Sequence, residues 1–417
     1  MISKLAGPSR RERLLTAFRG GCPDRVPFSP SIMRWIRYHY GCTCPLHQLK
    51  LAEDLDLDLL ICYGLYVWRT VRNDYVYTPA GGHAYAASGL GGDLPGVTLE
   101  LKVENRPDEV WFRRTFKTPE GQLGDVLRWA RPDRGYGDGP NPVRVEPLVK
   151  SRDDLPALRH LFPPARRDVV ADLPLLLDQV GERALVAAYD NTHPGGWGLE
   201  ALGEEGRLIA SVEDPDLVLA VARYCQDVHL ENLRLMLEQG VKAVFDSWSL
   251  AGLSMGWSPN FYRRVFLQFV SETARLVHDY RAIYIYHDDG RMRDLIPLLL
   301  DAQVDVISGL QPPEVGDVGL REAKELAGGR AALFGGLDPC YTFDLGSAEK
   351  VTAAVKKAIE EAASGGGYVV GTAEGISPST PLESLRAGVA AVKRYGRYQC
   401  DQRSAPGGPL AQEGHDR

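Results

Sequence analysis

Three ionisable residues follow apolar segments of this chain at spacings that favour joint chemistry. His287 and Asp289 end one apolar run, and Glu374 comes shortly after the run 367–371. Because residues i and i+2 of a strand project to the same face, His287 and Asp289 are predicted to point together while Asp288 points away. An imidazole beside a carboxylate either ligates a metal ion or forms an acid–base pair. For Glu374 the structural alternative is a solvated loop carboxylate.

A second group of residues is suited to proton transfer and substrate contacts. Asp246 ends the apolar run 243–246 and is a candidate acid–base or hydrogen-bonding carboxylate. Tyr189 or Asp190 is expected nearby for orientation or proton transfer. Trp248 is a candidate substrate-binding residue. The structural alternative for Asp246 is a helix or loop cap.

Composition and charge limit the classes of function. The formal net charge of the 417 residues is −7 and no basic face stands out, so a nucleic-acid partner is not expected. No stretch reaches the roughly 18 apolar residues that a membrane span needs. The N-terminus lacks the apolar core of a signal peptide. Seven scattered cysteines favour reduced thiols over a disulfide framework. We therefore expect a cytoplasmic protein.

The elements that must position these side chains alternate regularly after about residue 150. Short apolar runs are separated by helical stretches, a pattern that predicts parallel βα units. With two earlier runs, the candidate strands lie at 24–29, 57–62, 184–189, 243–246, 283–287, 304–307, 331–335 and 367–371. Eight strands close a (β/α)₈ TIM barrel, whose active site is built by the loops after the strands. A doubly wound open sheet is the alternative, although no G-x-G-x-x-G or P-loop motif is present.

Residues 67–150 differ from the rest of the chain, being rich in Gly, Pro and alternating β-forming residues. We interpret them as an N-terminal antiparallel β insertion that covers one end of the barrel, within a single domain over 1–400. The polar tail 401–417 is expected to be disordered.

Several of these segments resemble a known enzyme family. The opening motifs R-E-R-L at 11–14 and P-D-R-V-P at 23–27, the turn G-G-L-D-P at 335–339 and the closing segment 367–384 are similar to motifs of the uroporphyrinogen decarboxylase superfamily. The likeness extends over about residues 10–396. It implies a (β/α)₈ barrel, which in this superfamily is often a homodimer.

The site residues depart from those of true uroporphyrinogen decarboxylases. Those enzymes carry an M-R-Q-A-G-R-Y motif whose arginines hold substrate carboxylates, and a catalytic Asp after the second strand. Here Arg34 and Arg37 stand in M-R-W-I-R-Y with a different spacing, and Cys62 ends the second strand with no carboxylate after it. Glu374 replaces the His of the closing motif. An octa-acid porphyrinogen would therefore meet few of its usual partners.

The other branch of the superfamily comprises corrinoid-dependent methyltransferases, which bind zinc through H-x-C after the fifth strand and a Cys in the closing motif. His287 matches the first ligand, and Asp289 and Glu374 stand at the two thiolate positions. The resemblance thus implies a divalent metal site. Zinc is the leading candidate, and two carboxylates make a harder site that is also open to Mn, Fe or Co. The leading hypothesis is methyl transfer between a small substrate and a cobamide or corrinoid protein.

Two other hypotheses remain open. The first is decarboxylation, or other lyase chemistry on a small acid, with Arg34 and Arg37 binding the carboxylate. The second is a non-catalytic binder of a tetrapyrrole or corrinoid, held by tryptophans that would line a flat cavity. These tryptophans are Trp35, Trp68, Trp197, Trp248 and Trp257.

Overall fold

The chain folds around a curled parallel sheet with a second, antiparallel sheet inserted after its first strand. The computed structural model describes residues 7–40, 44–64, 96–130, 143–161, 167–190, 192–313 and 315–398. The predicted disordered tail 401–417, and the part of the predicted insertion before residue 96, lie outside the described residues.

The two sheets contain eleven strands among the described residues: β1 Leu60–Gly64, β2 Thr98–Asn105, β3 Glu109–Thr118, β4 Gly121–Ala130, β5 Val143–Glu146, β6 Leu185–Tyr189, β7 Ala243–Ser247, β8 Ile283–His287, β9 Val306–Gly309, β10 Ala332–Leu337 and β11 Tyr368–Thr372. Seven parallel strands form the main sheet, in the order β1-β6-β7-β8-β9-β10-β11, and β2 to β5 form the antiparallel one. Parallel neighbours in sequence order are the arrangement of a TIM barrel.

The eighth position of the barrel is taken by the extended segment 26–29. Ser29 N donates to Val370 O of β11 at 2.8 Å, and on the other side Phe28 O accepts from Asp58 N at 3.0 Å. The segment therefore joins the last strand to the residues that lead into the first one. The predicted (β/α)₈ barrel is confirmed, and the alternative prediction of a doubly wound open sheet is wrong.

Helices cover the outside of the barrel. They are α1 Arg10–Phe18, α2 Met33–Tyr40, α3 Pro45–Leu55, α4 Leu155–Arg159, α5 Leu173–Val180, α6 Glu204–Glu213, α7 Pro215–Glu238, α8 Pro259–Val265, α9 Leu267–Asp279, α10 Ile296–Asp301, α11 Leu320–Ala327, α12 Ala348–Ala362 and α13 Leu382–Tyr395. In α12, Ser347 caps the N-terminus, and residues at helical spacing, among them Val351, Val355 and Ile359, face the core. Among the described residues, no helix is long and apolar enough to cross a membrane.

Alternate strand residues build two cores, one inside the barrel and one beneath the helices. The inner core contains Leu185, Ile283, Ile285 and Val369, and helix α1 adds Phe18 to it. The outer core contains the intervening strand residues, such as Val186, Tyr284 and Val370. Successive side chains of a strand point to opposite faces. This alternation decides which residue at each strand end faces the interior.

The inserted sheet packs beside the loop that follows β6. Leu148 N, just after β5, donates to Ala201 O of that loop at 2.8 Å. On the inner face of the sheet, Arg114 Nε donates to the buried Asp125 at 2.8 Å. The antiparallel type predicted for this region is confirmed.

The opening motif forms a buried ion cluster around Asp58. Arg13 Nη1 donates to Asp58 Oδ1 at 2.6 Å, and Arg25 Nη1 donates to Asp58 Oδ2 at 2.5 Å. Arg13 also contacts Asp24 at 2.7 Å. Phe28 N donates to Asp58 at 3.2 Å. The motif therefore fastens the eighth segment of the barrel to the entry of β1.

Candidate metal centre

A cavity opens at the end of the barrel where the strands terminate. Its volume is about 180 Å³, and aromatic, hydroxyl and ionisable side chains line it. Its wall includes Ser29, Ser31, Ile32, Met33, Gln48, Cys62, Tyr189, Phe245, Ser247, His287, Ser308, Phe334, Thr372 and Glu374. This is the end of a TIM barrel at which active sites are built.

The structure brings His287, Asp289 and Glu374 together beside this cavity. His287 Nε2 lies 2.9 Å from Glu374 Oε1 and 3.3 Å from Asp289 Oδ1. One potential ligand atom from each residue lies within 4.8 Å of the others. The side chain of His287 is 11% exposed, and those of Asp289 and Glu374 are 38% and 42% exposed. A small ligand can therefore reach the cluster from the cavity.

The local sequence explains how these side chains converge. His287 ends β8 on the inner face, and Asp289, two residues on, shares that face. Asp288 points away and is buried, and its Oδ1 accepts from Asp289 N at 2.7 Å. Gly290 has φ +90°, a left-handed conformation that lets the chain turn after the pair. The spatial arrangement expected from strand periodicity is therefore present.

Opposite charges control the protonation of the cluster. Burial lowers the pKa of His287, but its hydrogen bonds and ion pairs with Asp289 and Glu374 outweigh this and raise it to about 10. Burial raises the pKa of Asp289, but the hydrogen bond and charge of His287 dominate and hold it well below its usual range. A proton on the imidazole thus neutralises part of the negative charge at this site, a role that a bound cation can also fill.

The three residues fit a divalent metal ion. Imidazole nitrogen and carboxylate oxygen are both zinc ligands, and zinc bonds of about 2.1 Å in tetrahedral geometry place ligand atoms roughly 3.4 Å apart. The observed separations of 2.9 and 3.3 Å from His287 Nε2 lie close to that value. Asp289 Oδ1 is buried and faces His287 Nε2 at 3.3 Å. A buried carboxylate oxygen turned toward a ring nitrogen suits a cation.

Two predicted acid–base carboxylates lie on the outer side of the barrel. Asp190 and Asp246 are fully buried against His229 of α7, with distances of 2.9 Å to Nδ1 and 3.0 Å to Nε2. Neither lines the cavity, because the inner face at these strand ends belongs to Tyr189 and to Phe245 and its neighbours. Of this predicted group, only Tyr189 faces the candidate reaction space.

The buried carboxylates change the protonation of His229. Burial lowers its pKa, but the charge of Asp246 and the hydrogen bond to Asp190 outweigh burial and raise the pKa to about 9. Burial in turn raises the pKa of Asp246. Sequence reasoning missed His229, whose position in a long amphipathic helix is the only signal. The network ties the ends of β6 and β7 to α7.

The predicted substrate-binding residues are placed differently from one another. Trp248 is fully buried, and its Nε1 donates to Tyr284 Oη at 3.0 Å, so it belongs to the core rather than to the cavity wall. Arg34 is exposed, and its side chain packs against Gly375 at the rim of the cavity. The side chain of Arg37 lies outside the described part of the chain.

The tryptophans predicted to line a flat cavity do not do so where the structure describes them. Trp35, Trp248 and Trp257 are buried in the core. Trp68 and the side chain of Trp197 fall outside the described residues. The aromatic wall of the cavity is instead made by Tyr189, Phe245 and Phe334.

This chain is similar to one protein family and to relatives that have two different activities. The family model "Uroporphyrinogen decarboxylase (URO-D)" matches residues 206–395. A uroporphyrinogen decarboxylase of Streptomyces avermitilis is 28% identical over 253 residues, covering 59% of this chain and 67% of that protein. Another, of Cupriavidus pinatubonensis, is 29% identical over 322 residues, covering 73% and 79%. The methylcobamide:CoM methyltransferase MtaA of Methanosarcina barkeri is 24% identical over 244 residues, covering 58% and 65%.

A solved structure supports the fold over almost the whole chain. The methyltransferase from Methanosarcina mazei superposes with a TM-score of 0.61, covering 93% of this chain and 99% of that one. Its sequence identity is 16%, so the likeness shows the architecture of the barrel alone.

Proposed function

We propose that this chain, whose residues 206–395 match the uroporphyrinogen decarboxylase family model, is a metal-dependent methyltransferase that acts with a cobamide or a corrinoid protein. The convergence of His287, Asp289 and Glu374 within 4.8 Å at the barrel mouth carries this proposal. The relative from Methanosarcina barkeri, a methylcobamide:CoM methyltransferase, supports the reaction class. The family match supports an enzyme.

His287 Nε2 and one oxygen each of Asp289 and Glu374 would hold the proposed metal. One imidazole and two carboxylates form a harder ligand set than one with thiolates, so zinc is the leading ion and Mn, Fe and Co are alternatives. When bound, the metal supplies a Lewis acid that lowers the pKa of a coordinated thiol or hydroxyl group. The two carboxylates offset the charge of the ion.

The rest of the cavity holds and shields a small substrate. Tyr189, Phe245 and Phe334 present aromatic surface, which excludes water and packs against a methyl group. Ser247 and Ser308 add hydroxyl groups that can orient a polar atom. Tyr189 is the proposed proton-transfer group, because it lines the cavity while Asp190 and Asp246 do not.

A direct test measures metal bound to protein purified without chelator and reconstituted with zinc. We expect about one ion per chain in the wild type, and its loss in His287→Ala and Glu374→Ala. His160→Ala is a matched control, because His160 also pairs with a glutamate, Glu120, at 3.2 Å on the surface. A wild type without stoichiometric metal, or a His287→Ala variant that retains it, contradicts the proposal.

The corrinoid part of the proposal needs its own assay. We expect the absorbance of methylcobalamin to change when the zinc-loaded protein is added with a small thiol or hydroxyl acceptor, because the methyl–cobalt bond is broken. The Glu374→Ala variant should leave the spectrum unchanged. A metal-loaded protein that neither binds nor demethylates a corrinoid excludes this partner.

Decarboxylation of a small carboxylated substrate is the second candidate function. Arg34 favours it, since its side chain packs against Gly375 at the cavity rim, where a guanidinium can meet a carboxylate. The names of several relatives also point to decarboxylation. Release of carbon dioxide from a panel of small acids, lost in Arg34→Ala but retained in Glu374→Ala, would favour this function over methyl transfer.

A further inference from the structure

We infer that Ser308 and Ser249 are positioning residues that aim the imidazole and one carboxylate at the metal. This inference rests on the proposed metal site and adds to it two side chains that do not themselves offer a ligand atom. Both hydroxyl groups contact a proposed ligand on the side turned away from the other ligands. They reach it from the ends of two different strands.

Ser308 controls the orientation of His287. The two residues are register partners across the β8–β9 pair, and Ser308 Oγ lies 3.2 Å from His287 Nδ1. A proton on Nδ1 directed at this hydroxyl leaves Nε2 as the nitrogen that faces the two carboxylates. Ser308 is 4% exposed, so little water is available to replace its hydroxyl group. The hydrogen bond therefore selects the ring nitrogen available to a metal.

Ser249 orients the carboxylate of Asp289 in a similar way. Its Oγ donates to Asp289 Oδ2 at 3.0 Å, while Oδ1 of the same carboxylate faces His287 Nε2 at 3.3 Å. Ser247 Oγ lies 3.1 Å from Ser249 Oγ and extends the contact toward β7. One oxygen of Asp289 is thus held by a hydroxyl group and the other is turned toward the site, which favours monodentate coordination.

The chemical nature of these partners affects the metal as well as the geometry. A carboxylate behind a metal-bound imidazole makes the ring more basic, whereas a neutral serine hydroxyl orients the ring without adding negative charge. The two serines therefore keep the ligands in place and preserve the Lewis acidity of the ion. Loss of an orienting partner in metal sites lowers metal affinity roughly 10–100-fold.

The test is a Co²⁺ titration of chelator-treated protein, followed by visible absorption and by calorimetry. We expect Ser308→Ala and Ser249→Ala each to raise the Kd roughly 10–100-fold and to shift the Co²⁺ absorption bands. Ser308→Thr keeps a hydroxyl group and should retain most of the affinity. Ser271→Ala is the matched control, because Ser271 is half-buried and donates to Leu267 O at 2.9 Å in α9, away from the site.

The outcomes separate this inference from the proposed function. A wild type that binds Co²⁺ with the same Kd and spectrum as Ser308→Ala and Ser249→Ala overturns the inference and leaves the metal site standing. A wild type that binds no Co²⁺ overturns both. Weaker binding in the two alanine variants, with unchanged thermal unfolding of the metal-free proteins and unchanged binding in Ser271→Ala, supports the inference.

Discussion

Replacing Asp58 with alanine is predicted to destabilise the barrel at its closure. Asp58 is fully buried and accepts from Arg13 at 2.6 Å and from Arg25 at 2.5 Å. Removing one partner of a buried ion pair costs about 3–5 kcal/mol, since a charge is left in a poorly solvated place. Arg13 retains Asp24 at 2.7 Å as a partner. We therefore expect the middle of the range, about 4 kcal/mol.

Urea unfolding followed by tryptophan fluorescence and circular dichroism measures this loss. Asp54→Ala is the matched control, because Asp54 pairs with Lys50 at 2.9 Å on the exposed face of α3. Exposed pairs of this kind contribute about 0.5 kcal/mol or less. If Asp58→Ala lies within about 1 kcal/mol of the control, a margin well below the cost expected for a broken buried pair, the assignment of Asp58 as the anchor of barrel closure is refuted.

The same anchor connects stability to the candidate site. Phe28 N donates to Asp58 at 3.2 Å, and the residues just after Phe28, from Ser29 to Met33, form part of the cavity wall. We therefore expect any surviving Asp58→Ala protein to bind metal more weakly than the Asp54→Ala control. The reason is that Ser29–Met33 is the part of the wall next to the Glu374 loop, since Ile376 N donates to Ser31 O at 3.0 Å, and this segment loses one of its attachments to the entry of β1.

Three further predictions concern the site and its supports. Because the pKa of His229 is raised to about 9, its protonated ring stabilises the fold fully below about pH 6.5, and this contribution, on the order of 3 kcal/mol, is lost as the pH rises to 9. Between pH 6 and 9.5 the free energy of unfolding in urea should fall more steeply for the wild type than for the triple variant Asp190→Asn/His229→Gln/Asp246→Asn. Equal slopes would refute the stabilising role of protonated His229. Gly309→Ala should lower both stability and Co²⁺ affinity, because Gly309 has φ +103° and an added Cβ would lie 1.8 Å from Asp288 O; normal values for both would contradict the close approach of β8 and β9. Tyr189→Phe should leave the metal content unchanged and lower kcat in the methyl-transfer assay by 10²-fold or more if its hydroxyl transfers a proton, as is typical of general acid–base groups at roughly 10²–10⁴-fold; an unchanged kcat removes that role.

Strand periodicity and the resemblance predicted the barrel and the three proposed ligands. His287 is the last residue of β8 and Asp289 follows it by two residues, so the two side chains lie on the same side and contact each other in the structure. Glu374 is 85 residues away from Asp289 in the sequence, and only its place in the closing motif associated it with the pair. The apolar run 24–29 predicted the extended segment that fills the eighth position of the barrel, although this segment joins the sheet through few hydrogen bonds.

The sequence did not show which polar residues at the strand ends face the interior of the barrel and which face the surrounding helices. Both faces of a barrel strand are apolar, one inside the barrel and one beneath the helices, so hydrophobicity does not mark the interior. Asp246 and Asp190 consequently were expected at the mouth and lie outside it, while Phe245 lies within. Trp248, which comes directly after β7, also lies on the outer side and is buried in the core.

The chain by itself determined the alternation of strands and helices, the pairing of His287 with Asp289, and the motifs that resemble those of the uroporphyrinogen decarboxylase superfamily, because these depend on spacing along the sequence. Tertiary packing decided the remaining features. It brought Glu374 to His287 by closing the barrel, set Ser308 beside the ring through the β8–β9 register, and placed His229 of α7 behind the strands. These contacts join residues far apart in sequence, and they arise only when the sheet curls and the helices pack against it.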